Sequence, residues 1–414
     1  MQTLLDLMRS LPEYRQLLSE VKKGGHRAVS LYGVSHIHKA HIAAALAADL
    51  DRPVCVVTRD EQSARRAALD IEAFCGRTAA LLPVRDFVFH NIDNVSREYE
   101  HQRIAALHAF SSGLSPVFAA PIEAMMLATL PPDIMDKATL TLRLDGEYDT
   151  GELTRRLIEA GYAHSLTVEG PGQFALRGGI LDIFPIGQSA PVRAEFFGDT
   201  VDSLGVFDPM TQRRTRSIDS CDILPARETL PHMAKDGLDG LLKAIDGLAR
   251  RAGDELRKTL AQDRERLEQT GAFAACDRYM PFIYPRQATA FSYLPEHTLV
   301  LLDDTPAILE GARAMAFRQS EDHTHLLENG VLAPSKTGFC LSEGEVRACV
   351  MAHDAVLLDT FLSQTPFAPA AIIGLNCKQL PSYGGSLDTA VSDLESYLSL
   401  RYTLFALAGG SQRA

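Results

Sequence analysis

No apolar run in this chain approaches the ~18 to 20 residues that a membrane helix needs. The N-terminal stretch MQTLLDLMRSLPEYRQLL carries Asp6, Glu13 and two arginines in an amphipathic pattern, so it reads as a helix of the folded protein rather than a signal peptide. Cysteine is scarce and scattered: Cys55, Cys75, Cys221, Cys276, Cys340, Cys349 and Cys377 include no C-x-x-C pair. An odd set at such spacing suits the reduced thiols of a cytoplasmic protein and speaks against a disulfide framework or a zinc site. Positive charge is in deficit, with 41 Lys and Arg against 53 Asp and Glu and a net charge of −12. Such a surface repels phosphate unless basic residues cluster locally, which excludes generic nucleic-acid affinity. No G-x-S-x-G elbow and no ordered Ser, His and Asp set points to a hydrolase.

What is present is enough chain for several packed domains. At 414 residues, 46% hydrophobic and 23% charged, the composition is that of a globular protein of about two to four domains. From Ala28 to about Ala128, the runs AVSLYGV, VCVVT, AALLPV and PVFAAP alternate with helical stretches starting at Ile37, Gln62 and Arg97. That rhythm predicts a parallel sheet with helices on both faces. After Pro131-Pro132 comes one helix near Asp149 to Ala160, then the short strands QFALRGG, ILDIFP, PVRAEFFGD and VDSLGVFD, which predict a small α+β domain on antiparallel strands. Asp236 to Gln269 reads as about nine turns of charged helix that Gly247 and Gly253 can interrupt. The α/β rhythm returns with TLVLLDD, a helix through Arg313, and strands around Ala355 to Leu358 and Ala370 to Gly374.

A last unit, with helix Leu387 to Leu400 and strand Tyr402 to Ala408, stops at GGSQRA, as if the sequence were cut inside a further domain. The expected fold is therefore α/β: a parallel-sheet body of the phosphate-loop type over residues 1–121 and 209–378, a small α+β domain inserted over 122–208, and a truncated α/β unit over 379–414.

The first strand-to-helix turn, Gly33-Val34-Ser35-His36-Ile37-His38-Lys39-Ala40, keeps the register of the phosphate loop G-x-x-x-x-G-K-[ST]. A working loop needs its second glycine so that the backbone can wrap the phosphates, and a hydroxyl after the lysine to hold magnesium. Here those positions are His38 and Ala40. Lys39 alone could meet an anion at a helix N-terminus, but the loop reads as an inherited turn. Leu299 to Asp304 has the form of a strand ending in magnesium-holding carboxylates, with Asp304 where Glu is usual. Gly33, His38, Lys39, Ala40, Asp303 and Asp304 together are expected to form a degenerate nucleotide site without catalysis. His36, His38 and His41 straddle the turn with no nearby Cys or paired acid, so no metal is expected. The arginines of 236–269 are nearly balanced by acids and predict a solvated helix face.

The most specific stretch runs from Gly172 to Pro185 (GQFALRGGILDIFP), followed by Val192 to Asp199 (VRAEFFGD), Phe207-Asp208-Pro209, Leu224-Pro225-Ala226-Arg227-Glu228 and Phe291-Ser292-Tyr293-Leu294-Pro295. This combination resembles the module shared by the excision-repair protein UvrB and the bacterial transcription-repair coupling factor (Mfd) family. UvrB has an intact phosphate loop and a long tyrosine-rich hairpin that clamps DNA. Here Phe87-Val88-Phe89-His90 passes within a few residues to Ser96-Arg97-Glu98, which leaves no room for that hairpin. The chain therefore resembles the N-terminal part of a coupling factor.

The resemblance implies an adaptor that recruits UvrA to stalled RNA polymerase in transcription-coupled nucleotide excision repair. It also implies a full-length protein that is an ATP-dependent DNA translocase. ATP and magnesium, RNA polymerase and double-stranded DNA would then belong to domains absent from this chain, and a C-terminal domain would cover the UvrA surface until the motor engages. Carried onto this chain, the UvrA contacts would be Arg177, Arg193, Phe174, Glu195 and His164. Arg177 is expected to point to solvent on the strand face opposite Ala175, and His164 to stand in for an arginine that relatives carry where this chain reads Ala163. The alternatives are a nucleotide-dependent DNA-remodelling ATPase and a DNA-holding module of the same repair system.

Overall fold

The computed structural model describes residues 2–92, 95–284, 286–377, 380 and 383–404. Apolar runs without alternation become strands covered on both faces: every residue of Val54–Thr58 and of Val117–Pro121 is buried. Seven strands lie side by side in the order Ala371–Gly374, Ala28–Tyr32, Asp354–Asp359, Leu299–Asp303, Val54–Thr58, Val117–Pro121 and Ala79–Leu81. All neighbours are parallel. Parallel neighbours need crossovers, supplied on the first strands by helices His36–Asp49, Glu61–Cys75 and Glu98–Ser111. Helix His36–Asp49 buries Ala40, Ala43, Ala44, Ala45 and Ala47, small side chains that let it lie close against its neighbours. Asp60 caps the next helix by accepting from the Ser63 N–H at 2.7 Å.

Between Pro121 and Leu299 the chain leaves this sheet and builds a second one. Its six strands are ordered Arg214–Ser217, Thr200–Phe207, Val192–Phe197, Ile180–Ile183, Gln173–Arg177 and Ala163–His164. The pairing is antiparallel except at the edge, where Ala163–His164 runs parallel to Gln173–Arg177. The four strands expected from the sequence are antiparallel; the short parallel edge strand is an addition, formed because residues 165–172 carry the chain back past the strand end instead of closing a hairpin. Leu140–Arg143 pairs with Ser220–Ile223, so the two ends of this region are tied together. On its inner face Phe174, Leu181, Ile183, Val192 and Leu204 join one core with Ile104, Phe110 and Phe118 of the parallel layer.

Three expected elements differ. The helix over Asp236 to Gln269 is two helices, Gly237–Ala249 and Asp254–Thr270; the break falls at 250–253 and Gly247 is accommodated within the first. The helix through Arg313 continues to Glu328. Residues 1–375 form one compact unit and 376–414 another. In the second, helix Leu387–Ser399 is present. No strand forms over Tyr402 to Leu404, and the rest of the strand expected to Ala408 lies outside the described residues. Among the described residues, no helix is long and apolar enough to cross a membrane.

Candidate functional site

The second sheet has one face in the core and one facing out, and alternation sorts the expected docking residues between them. Arg177 is paired with Ile180 and Ile180 with Glu195, while Ala175 is paired with Asp182 and Asp182 with Arg193. Directly opposed residues share a face, so Arg177, Arg193 and Glu195 come together on the outer face. Ala175, two residues from Arg177, lies on that same face; the expectation that they point apart is corrected by the period of two. Ala175 is buried there beneath Val168 and Phe184. Phe174 is 0% exposed in the main core. It therefore supports the strand from inside and cannot meet a partner, which corrects its assignment as a contact residue. His164 pairs with Phe174, its ring centroid 5.0 Å from that of Phe174, so it sits exposed at the sheet edge on the side away from Arg177.

A residue outside the expected set organises the face. The Asp182 carboxylate, 2% exposed, accepts from Arg193 Nε at 2.6 Å, from Arg193 Nη2 at 2.9 Å and from Arg177 Nη2 at 2.9 Å. One buried anion between two guanidiniums leaves these three side chains with a net positive charge, which Glu195 on the same face offsets. Arg193 is also stacked over Phe207, 4.5 Å from the ring centroid, and donates to Gln212 Oε1 at 2.9 Å. Its side chain is only 19% exposed, against 53% for Arg177, so Arg177 is the guanidinium able to reach outward. Glu195 accepts from Ser203 Oγ at 2.9 Å and lies 3.5 Å from Arg214. The signal for Asp182 was an acid inside the otherwise apolar run ILDIFP, but its partners follow only from the strand register.

At the first turn of the parallel sheet the positions expected to form a degenerate nucleotide site take up contacts within the chain. Lys39, 6% exposed, places Nζ 2.6 Å from Asp303 Oδ1. His38 fills the place of the second glycine, its Nδ1 accepting from the Ser35 N–H at 3.3 Å as part of the helix cap. Ala40 is buried and has no oxygen to offer magnesium. Gly33 adopts φ 85°, and a Cβ there would lie 2.0 Å from the Leu375 carbonyl oxygen, so later chain packs directly on the loop. Asp304 caps helix Thr305–Glu328 by accepting from the Ala307 N–H at 3.4 Å. Of the six, Lys39, Asp303 and Asp304 line a cleft of about 190 Å³ together with His36, Arg59, Ser63 and Thr360. Lys39 and Asp303 neutralise each other there.

His41 contacts the Leu4 carbonyl and His36 lies 3.8 Å from Asp70, so the three turn histidines have separate partners. Among the described residues, no group of three or more His, Cys, Asp or Glu is placed to hold a metal. On the 237–270 helices, Arg257, Lys258, Arg264 and Arg266 pair with Asp254, Glu255, Asp246 and Asp263 respectively, leaving a mixed face rather than a basic groove.

A buried ion cluster ties the second sheet's region to the parallel body. Glu228, fully buried, accepts from Arg103 Nε at 2.8 Å and Arg85 Nη1 at 3.1 Å, and Thr129 adds a hydroxyl. Arg85 also reaches Asp277 at 2.6 Å, while Asp277 accepts from the Val88 N–H at 2.8 Å. Burial alone would raise the Glu228 carboxyl, but Arg103 and Arg85 outweigh it and hold it below its usual value. The short segment after Leu82 is thus pinned inward by charge. Asp263 continues the cluster, accepting from Arg278 at 2.6 Å and Tyr279 at 2.9 Å.

Comparison with known proteins agrees with this geometry. Residues 140–228 match the family model of the UvrB interaction domain, and those bounds nearly coincide with the paired strands Leu140–Arg143 and Ser220–Ile223 that close the region. Over its whole length the chain is 24% identical to a transcription-repair-coupling factor of Bacillus subtilis, covering 36% of that protein. It is 30% identical, over 70% of its length, to one of Myxococcus xanthus, covering 25% of it. A Staphylococcus epidermidis relative of the same name is 24% identical over 92% of the chain. The chain thus carries a UvrB interaction domain, is a relative of the transcription-repair-coupling factors, and spans about a third of the length of those it matches.

Proposed function

We propose that this chain is the UvrA-recruiting module of a transcription-repair coupling factor, an adaptor rather than an enzyme. The observation that carries this reading is the outer face of the sheet within residues 140–228, where Arg177 is half exposed and held by the buried Asp182 carboxylate. A guanidinium oriented in this way offers a partner carboxylate a charge-assisted, two-pronged contact. In the whole protein the ATP-driven motor, and the contacts to RNA polymerase and double-stranded DNA, would reside in other domains. One of those domains would cover this face until the motor engages, making docking conditional. The test is a calorimetric titration of the chain with purified UvrA: saturable binding is expected, and no binding at micromolar concentrations of both would overturn the reading.

The Lys39–Asp303 pair speaks against the enzymatic alternative. Titration with Mg-ATP is expected to show no saturable heat and no turnover, because Lys39 is held by Asp303 and Ala40 supplies no magnesium oxygen. Micromolar binding abolished by Lys39→Ala would contradict this.

For the DNA-holding alternative, the net charge of −12 and the paired arginines of the 237–270 helices predict weak affinity. Fluorescence anisotropy with duplex DNA at about 150 mM salt should show no submicromolar binding.

A further inference from the structure

A cavity of about 480 Å³ opens between the segment after Leu82 and helix Thr305–Glu328, and none of its lining residues belongs to the second sheet. A space of that order holds a small ligand or a few side chains of a partner. Met315, Arg318, Asp322 and Leu326 recur along the helix at three- and four-residue spacing, so they form one wall. Phe87, Phe89 and Phe339 form the other. The Phe87 and Phe89 ring centroids are 5.6 Å apart, and Phe339 stands edge-on to both at 5.1 and 5.0 Å.

This aromatic wall is fixed before any ligand arrives. Arg85 is held by Glu228 and Asp277, the Val88 N–H donates to Asp277 at 2.8 Å, and the Phe89 carbonyl accepts from Arg278 Nε at 2.6 Å. Phe87 and Phe89 thus stand on backbone anchored to the buried ion cluster, yet both remain partly exposed. A pocket wall held in this way loses little entropy when it is covered. The fold itself shows which charge these rings accept, since the Arg85 guanidinium lies 4.7 Å from the Phe87 centroid.

The charges around the cavity do not cancel. Arg85 is neutralised by its two buried acids, and Arg318 pairs with Glu123 at 2.6 Å. Asp86 and Asp322 are exposed at the same cavity and have neither an ion pair nor a side-chain hydrogen bond among the described residues. The surplus is therefore negative, which repels a phosphate and draws a cation. A metal ion does not suit the site, because no group of three His, Cys, Asp or Glu is placed to hold one among the described residues. A guanidinium suits both walls: it is flat and weakly hydrated, it stacks on aromatic rings, and it pairs with carboxylates. We propose that this cavity takes the side chain of an arginine presented by a partner protein, stacked on the phenylalanine wall and met by Asp86 and Asp322, with an apolar neighbour of that arginine against Leu326 and Leu332. The proposal goes beyond the UvrA reading, because no lining residue comes from 140–228.

The test is a fluorescence-anisotropy titration of the full chain into a labelled short peptide carrying one arginine between two leucines, at about pH 8, where an ordinary imidazole is uncharged. Counterpart peptides carry lysine or citrulline in its place. The arginine peptide is expected to saturate below about 1 mM, the citrulline peptide, which keeps the shape without the charge, to bind roughly ten-fold more weakly, and the lysine peptide to fall between them. Asp86→Asn and Asp322→Asn should each weaken the arginine peptide about three- to ten-fold and leave the citrulline peptide unchanged. Both aspartates are exposed, so unchanged melting is expected of these variants. Phe89→Leu, which keeps apolar bulk and removes the ring, should cost the arginine peptide about three-fold or more. No saturation, or equal binding of the arginine and citrulline peptides, overturns the proposal. Parent-like binding by both aspartate variants shows that the arginine sits elsewhere and overturns it too. Displacement of the peptide by spermidine at lower concentration than by unlabelled peptide assigns the cavity to a free polyamine instead of a protein partner.

Discussion

Replacing Glu228 by Gln is expected to destabilise the fold by about 3 to 5 kcal/mol, the cost of removing one partner from a buried ion cluster. The change preserves shape and volume but leaves the guanidiniums of Arg103 and Arg85, 0% and 4% exposed in their side chains, short of an anion. Urea denaturation followed by circular dichroism measures the loss as a shift in midpoint. An unshifted midpoint would show that water reaches the cluster. The pair Arg103→Met with Glu228→Met should be less destabilised than either single change, because the uncompensated charge is then gone.

The same carboxyl sets a pH dependence. Its folded value is depressed below the ordinary 4.5, so its contribution is complete above that pH and is lost as pH falls through the folded value. His101 acts at milder acidity. Burial and the neighbouring Arg97 pull it down from 6.5 to about 4, so the folded protein keeps it neutral while the unfolded chain takes up a proton. Stability should therefore decline progressively from about pH 6.5 to pH 4 through His101. Below about pH 4.5 it should fall more steeply as Glu228 is protonated, and Glu228→Gln should flatten this second part of the decline.

Arg177→Ala carries the largest expected effect on function. Loss of an interfacial charge that becomes buried and hydrogen-bonded on docking costs about 2 to 5 kcal/mol of binding free energy, so UvrA affinity should fall by that amount. The melting temperature should hardly move, because the side chain is 53% exposed in the free chain. Arg177→Lys should fail to restore binding, since an ammonium cannot reproduce the fork. Arg193→Ala should show the reverse balance, a smaller effect on binding and a larger one on stability, because its guanidinium is stacked on Phe207 and clamped by Asp182. If folded Arg177→Ala binds UvrA as tightly as the parent, the docking surface lies elsewhere.

Asp182→Asn offers a complementary arm. It touches no partner in this reading, yet it releases both arginines from the carboxylate that aims them. Reduced affinity with an altered salt dependence, in a protein that still melts cooperatively, would mark it as a positioning residue. Loss of the melting transition would assign it a purely structural role.

Sequence by itself determined the elements with strong local patterns. Runs such as VCVVT and VFAAP are apolar throughout and become strands buried on both faces because a parallel sheet covered by helices demands no alternation. The loss of glycine at His38 and of a hydroxyl at Ala40 is likewise local chemistry, legible without coordinates. The motif GQFALRGGILDIFP marked two strands of the second sheet for the same reason: its turns and strand lengths are short-range properties.

Tertiary structure alone decided which of those residues share a face. Phe174 and Arg177 stand three positions apart and point to opposite sides, so one disappears into the core while the other meets solvent. The role of Asp182 depends on a register that places it between two strands. The ion cluster joins Arg85 to Glu228 across 143 residues and to Asp277 across 192. Spacing along the chain carries no information about such contacts, because burial selects partners by proximity in the folded core, where an unpaired charge is too costly to leave.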